Sequence, residues 1–219
     1  MKKKKTYAIF GLGRFGMTLA RELAAQGEEV IAIDKDINLI NEADEFAVAY
    51  SFDFTSMDAL KASGIKDIDV AVVATGENLE EAILLILNLK ELNIPRIIAK
   101  AQNQKFGLAL EKVGADQIVL PERDMAKRLA LRLSSSDDLL EMFNLGTGAI
   151  AYEMKVKSSW VGKSLIDLDL RGKYAVNVVG VKTSEGVKVN VNPNRQFEED
   201  DTLLIISDEK SFKEIEKVK

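Results

Sequence analysis

The sequence contains no cysteine and no histidine. The first absence excludes a disulfide framework, a thiolate metal site and a cysteine nucleophile. The second removes the commonest general acid/base, every Ser-His-Asp arrangement and every imidazole-ligated metal, leaving proton transfer to carboxylates, lysine or tyrosine. A cationic excess is also missing. Thirty Lys and Arg against 35 Asp and Glu give a net charge of -5, which argues against nucleic acid as partner, because phosphate-backbone binding needs a concentrated cationic footprint. The longest uncharged apolar run in the middle of the chain, Ala82 to Leu89, falls far short of the ~20 residues of a membrane helix. Met1 to Lys5 carries the charge of a signal n-region, but the apolar stretch Tyr7 to Gly13 is cut by Arg14, so a solvated tail on a cytosolic protein is expected. What is present is an ordinary globular balance, 47% hydrophobic and 30% charged over 219 residues, enough to bury a core.

From Thr6 to about Leu133 short β-branched runs alternate with longer helical patterns, the grammar of βαβ units. Strands are expected at Tyr7 to Phe10, Val30 to Asp34, Phe46 to Tyr50, Val70 to Ala74, Ile97 to Lys100 and Gln117 to Leu120. The longest helix is expected over Glu77 to Leu92, with Ala82, Ile83, Ile86 and Leu87 as its apolar face. Six strands with helical crossovers predict a Rossmann-like, doubly wound parallel sheet over residues 1–134. The polar break at Ser134 to Asp138 predicts a short connecting helix over 135–145. Beyond it the pattern becomes α+β, with strands at Ala149 to Val156, Val176 to Lys182, Val187 to Asn190 and Thr202 to Ile206. A hairpin turn at Thr183 to Gly186 and a closing helix over Glu209 to Val218 complete a second lobe, 146–219.

The chemistry concentrates in GLGRFG, directly after the first strand. Gly11 suits the tight turn, Gly13 lets backbone approach a pyrophosphate and Gly16 allows helix to pack on strand; Arg14 and Phe15 complete the loop. Free amides at the following helix N-terminus attract anions. Asp34 closes the second strand 23 residues after Gly11, where a carboxylate accepts hydrogen bonds from ribose hydroxyls and repels a 2′-phosphate, an effect that Lys35 next door only partly weakens. Asp53 and Phe54 fall where an adenine edge lies, or equally are a loop acid beside a core aromatic. Thr75 and Gly76 follow the fourth strand at the carboxyl edge of the sheet, where ligands of open α/β sheets bind. Arg14 either forks onto a terminal phosphate, favouring a nucleoside di- or triphosphate, or is an exposed first-turn arginine.

Hydride transfer needs a proton relay, and the Tyr-x-x-x-Lys alternative to histidine occurs at none of Tyr7, Tyr50, Tyr152 or Tyr174. The second lobe, about 75 residues, is also small for a substrate domain. No enzyme is expected, and no catalytic residue is assigned; an NAD-dependent oxidoreductase is the reading that a different class of protein would require.

Together, GLGRFG, VIAID ending in Asp34, FDFTSMDAL at 52–60, VVATGEN at 72–78, IIAKAQN at 97–103 and GADQIVLPERDMA at 114–126 resemble the N-lobe of the regulator of potassium conductance (RCK) family. GKSLIDLDLRGKYAVNVVGVK at 162–182 and EEDDTLLII at 198–206 resemble its C-lobe. Within that family the chain is most similar to the KtrA/KtrC-type gating subunits of bacterial Ktr potassium uptake. The resemblance implies a cytosolic octameric ring of homodimers, docked at the inner face of the membrane on a KtrB- or KtrD-like potassium-translocating subunit and gated by ATP and ADP. It implies that Arg14 reaches the terminal phosphate, that Lys100 lies near the phosphates, and that Glu122 holds a divalent cation or Na+ between subunits; from chemistry alone Glu122 is equally a helix N-terminal acid. It also implies inhibition by cyclic di-AMP at Leu165, Ile166, Asp169, Leu170, Arg171, Asn177, Val178 and Pro193, although Leu165, Ile166 and Leu170 also have the spacing of a small core helix. The alternative within the family is a TrkA-like or channel-associated protein that binds NAD or NADH.

Overall fold

Short runs of valine, isoleucine and alanine are stable as strands where both faces of a sheet are covered, because the branched side chains pack on the pleat without alternating with polar residues. The computed structural model, which describes residues 4–75, 78–146 and 148–218, realises this in the order β1 (Thr6–Phe10), α1 (Arg14–Ala25), β2 (Glu29–Asp34), α2 (Ile37–Ala43), β3 (Val48–Ser51), α3 (Met57–Ala62), β4 (Val70–Val73), α4 (Leu79–Glu91), β5 (Ile97–Lys100), α5 (Gln104–Val113), β6 (Gln117–Val119) and α6 (Pro121–Ser134). The six strands form one sheet, β3-β2-β1-β4-β5-β6. All neighbours run parallel, with Ala8 of β1 opposite Ile31 of β2 and Ala71 of β4. Phe10, Leu60, Leu85, Ile86, Leu89 and Ile97 fill one face, and Ile9, Leu12, Met17, Val30 and Val72 the other. Helices start where side chains accept from free backbone amides: Asp36, Ser56, Asn78 and Asn103 each cap one.

The second half continues as β7 (Leu139–Gly146), β8 (Ala149–Lys155), α7 (Leu165–Leu168), α8 (Leu170–Tyr174), β9 (Asn177–Thr183), β10 (Gly186–Val189), β11 (Thr202–Asp208) and α9 (Glu209–Glu216). Its sheet has the order β10-β9-β11-β8-β7 with antiparallel pairing throughout. Tyr152, Trp160, Phe197, Leu203, Ile205 and Ile215 are its core.

Three expectations change. The segment expected as a connecting helix at 135–145 is mostly strand: Ser134 to Asp138 do end one element, but Leu139–Gly146 pairs with β8, Leu139 opposite Met154 and Phe143 opposite Ala151. A short apolar run with no periodic polar face takes whichever partner the fold offers. The chain divides into compact units at 1–123 and 124–219, earlier than the expected 134. Finally, α4 buries Ala82, Leu85, Ile86 and Leu89, whereas Leu87, expected on that face, is 50% exposed.

In the second unit the loop before β11 is closed by a buried charge pair. Asp201, 2% exposed, accepts both arms of the Arg195 guanidinium, one at 2.9 Å, and the backbone amide of Glu198 at 2.8 Å. Burial alone pushes the Asp201 carboxyl up, but Arg195 and that amide outweigh it and hold it below the usual carboxylate range. A lowered folded-state value means the stabilisation is complete above the unfolded aspartate value of ~3.9 and is lost as pH falls through the folded one. Arg195→Ala leaves Asp201 buried without its counter-charge and is expected to cost about 3 kcal/mol at neutral pH, read from urea midpoints. The gap from wild type should narrow as pH falls and close only below the lowered folded-state value of Asp201, where the folded and unfolded carboxyls are both protonated.

Candidate functional site

In the parallel sheet, β1 leads outward through β2 to β3 while β4 leads to β5 and β6. Their carboxyl ends therefore diverge at the β1/β4 boundary and leave a crevice. The turn after β1 shapes its floor. Gly11 adopts φ +90°, a conformation that disfavours side chains, and its amide donates to the Ile33 carbonyl at 2.9 Å, extending the ladder past the strand. A Cβ on Gly16 would lie 1.9 Å from the Gly11 carbonyl oxygen, whereas one on Gly13 would meet nothing within 4 Å. Gly16 is thus demanded by packing, and the room before Gly13 is open. Gly13 caps α1 without a side-chain hydrogen bond, and no acidic residue occupies the first turn of that helix, so its leading amides face the crevice available for an anion.

The crevice is a cleft of about 820 Å³, within the size range of small-molecule sites. Gly11, Gly13, Arg14, Phe15, Asp34, Lys35, Phe54, Thr75, Lys100 and Glu122 all line it. Gly16 stands behind the turn. Asp53 does not line the cleft but reaches Lys35 at 3.4 Å. Gly76 lies outside the described residues. Asp34 also braces the backbone, since its Oδ2 accepts the Leu12 amide at 2.6 Å and its Oδ1 the Asp36 amide at 2.9 Å. The ribose-type carboxylate is therefore oriented by the glycine turn, with lone pairs left for hydroxyl donors. The Thr75 hydroxyl is buried at the rim and has no hydrogen-bond partner among the described residues.

At the glycine-loop end, Lys100 Nζ lies 3.1 Å from Glu122 Oε1 and 5.9 Å from the centre of the Phe15 ring. The Glu122 carboxyl is held below its usual range by its own backbone amide first and then by Lys100, with Arg14 adding to the field. Glu122 does not by itself fit a metal centre. Its side chain is 65% exposed and already paired, and among the described residues no group of three acidic side chains is placed to hold an ion.

Sequence reasoning missed Asn78 and Glu81, which also line the cleft. Asn78 Oδ1 accepts the amides of Glu80 and Glu81 at 3.1 and 3.2 Å. The signal was available as Asn-x-x-Glu ahead of an apolar run, the pattern of a helix start.

In the second unit, Asp169 takes a left-handed conformation, φ 47°, and caps α8. Ile166 is 60% exposed and its amide donates to the Pro193 carbonyl at 3.2 Å. Asn177 and Arg171 are exposed. Leu170 is core, 2% exposed, and Leu165 and Val178 pack against that core. These positions bring together Ile166 and Pro193 but line neither the nucleotide-sized cleft nor the smaller cavity beside α6 and α9.

The TrkA-N domain model matches residues 7–121 and the TrkA-C domain model residues 150–219. Over 215 residues the chain is 38% identical to the Ktr system potassium uptake protein C of Bacillus subtilis, covering 98% of this chain and 97% of that protein. Potassium uptake protein A of the same organism is 34% identical, with coverage of 98% and 96%. The chain is a KtrA/KtrC-type RCK protein. Its fold agrees with that of the GsuK channel, TM-score 0.70 at 16% identity over 99% of this chain and 39% of that one. The Shewanella denitrificans Kef C-terminal domain in its AMP-bound form is 26% identical, TM-score 0.53, over 60% of this chain and 83% of that one. Among the described residues no helix of this RCK protein is long and apolar enough to cross a membrane.

The two glycines separate packing from binding. Gly16→Ala is expected to lower stability by about 2 kcal/mol or more, because the methyl meets backbone that cannot yield. Gly13→Ala should leave the thermal midpoint in place, since its methyl enters open space, and should weaken anion binding at the turn. Thermal unfolding with and without pyrophosphate checks both, and equal midpoint losses for the two variants would contradict the assignment.

Proposed function

We propose that this RCK protein is the nucleotide-sensing gating subunit of a potassium uptake system, binding ATP and ADP in the cleft of the parallel sheet without breaking a bond in either. One observation carries this reading: beyond the glycine turn, where a terminal phosphate extends, the cleft offers Arg14 and Lys100, and among the described residues Lys100 is ion-paired to a carboxylate that an anion can displace. The third phosphate of ATP competes with Glu122 for Lys100 and draws Arg14 inward, whereas ADP leaves the Lys100–Glu122 pair as it is. A ligand shifts a conformational equilibrium only by such a difference in contacts. The released Glu122 is one ligand for a cation; the rest would come from outside this chain, and no step here depends on it.

Its relatives' names, potassium uptake proteins of Ktr systems, support a KtrB- or KtrD-like membrane partner and a place at the inner membrane face. Assembly into a ring of dimers is supported by apolar side chains without cover. Leu84, Leu87 and Leu108 are exposed on α4 and α5, and α6 buries none of its residues while presenting Met125, Leu129 and Leu133 four apart. Cyclic di-AMP is proposed as inhibitor at the exposed Ile166, Arg171 and Asn177 beside Pro193, between two copies, with apolar surface for the bases and Arg171 for a phosphate.

Arg14→Ala should narrow the affinity ratio of ATP over ADP by about tenfold, the value of one charge-assisted hydrogen bond. Titration calorimetry of both nucleotides checks this, and equal losses for the two would count against it. For the second lobe, Arg171→Ala should weaken cyclic di-AMP by a similar factor in the same assay, and unchanged affinity removes that site.

A further inference from the structure

On the β2 side of the cleft, three carboxylates and one ammonium gather in and beside its lining. Asp34 ends β2, Lys35 follows it, Asp53 lies beyond β3, and Glu81 sits in the first turn of α4. The Lys35 Nζ lies 2.8 Å from Glu81 Oε1 and 3.4 Å from Asp53 Oδ1, and 5.2 Å from the centre of the Phe54 ring. Neither partner is loose. Asp53 Oδ1 is held by the amide and hydroxyl of Thr55 at 3.0 and 2.6 Å, and Glu81 stands on a helix whose start is fixed by Asn78. Both carboxylates therefore meet Lys35 from different elements.

This matters for the choice of nucleotide. In dinucleotide folds a carboxylate at the end of the second strand takes the ribose hydroxyls, and a nearby cation is what accommodates a 2′-phosphate. This chain has both residue types side by side, so Asp34-Lys35 alone predicts an ambiguous site. The structure resolves the ambiguity by position: Lys35, the one cation among the described residues lining this part of the cleft, is already matched by Glu81 in the lining and by Asp53 just outside it, so that with Asp34 three negative charges stand against one positive. We infer that Glu81 is a specificity-determining residue, which by engaging Lys35 makes the cleft select adenine nucleotides with a free 2′-hydroxyl and exclude those carrying a 2′-phosphate. The inference rests on the nucleotide-binding reading above and adds the ribose chemistry to it.

Displacement of a fluorescent ADP analogue by AMP and by adenosine 2′,5′-bisphosphate isolates the 2′-phosphate. Wild type should prefer AMP. Glu81→Gln should lower that preference by about tenfold, the worth of the charge-assisted contact Lys35 gains. Lys35→Ala alone should leave the preference for AMP at or above that of wild type, and Glu81→Gln combined with Lys35→Ala should erase the gain. Asp53→Asn frees the same ammonium from its other side and should shift the preference in the same direction, by less, which covers the case of a Glu81 variant that fails to fold. An unchanged preference in both single acid variants, or a gain that survives loss of Lys35, overturns the assignment. A wild-type protein that does not bind the ADP analogue overturns the nucleotide reading itself, an outcome seen before any variant is compared.

Discussion

The cleft exists because Gly16 has no side chain. Its missing Cβ would stand 1.9 Å from the Gly11 carbonyl oxygen, so only at this spacing can α1 leave β1 through so tight a turn. Two hydrogen bonds then fix the turn to the next strand: Gly11 to the Ile33 carbonyl and Leu12 to the Asp34 carboxylate. The anion-facing amides of α1 and the ribose-facing carboxylate are thereby set by one piece of backbone. A rigid turn of this kind places a ligand's phosphate and sugar at a defined separation, the geometric requirement for reading one nucleotide against another.

That turn divides the cleft into ends of opposite sign. Arg14 and Lys100 stand with Glu122 at the end proposed for the phosphates; Asp34 and Glu81, with Asp53 just outside the lining, surround Lys35 at the end proposed for the adenosine. An adenosine polyphosphate is itself polarised, with hydroxyl donors at one extremity and anionic oxygens at the other. For the ligand proposed above, such a match would fix the orientation, because the reversed pose would set phosphate against carboxylates.

Much of this was legible in the residues, and the limits were physical. The six parallel strands announced themselves because buried strands read as continuous β-branched runs. The glycine turn with Arg14, Asp34 and the fourth-strand edge carried their chemistry openly in short spacing, and Lys100 and Glu122 entered through a family resemblance. Strand β7 was hidden: Leu139 to Phe143 has no period of its own, and only pairing with β8 decides its state. The buried face of α4 was hidden for the opposite reason, since Ala82 to Leu87 is apolar all round and no stripe can be picked from it. Asn88, whose side chain donates to the Thr55 carbonyl at 2.8 Å, marks the side that turns inward. The engagement of Lys35 by Glu81 joins residues 46 apart in sequence, a distance across which spacing carries no information.

The same polarity bears on the proposed role of the cleft as a sensor. A proton-transfer group must change its charge easily at working pH, and histidine, the side chain that does so most readily, is absent from the sequence. Lys35 is pushed further from neutral pH by Glu81, and Glu122 is pushed below its usual range, so both stay charged in the very region where chemistry would need one of them to switch. Groups locked in their charged forms make poor acids and bases but dependable electrostatic contacts. What such groups can do is exchange partners. In the proposed function, Lys100 moving from a carboxylate to a phosphate alters no covalent bond, yet it changes which side chain is left unpaired at the start of α6. A site that stores its free energy in exchangeable ion pairs is suited to report a ligand's charge.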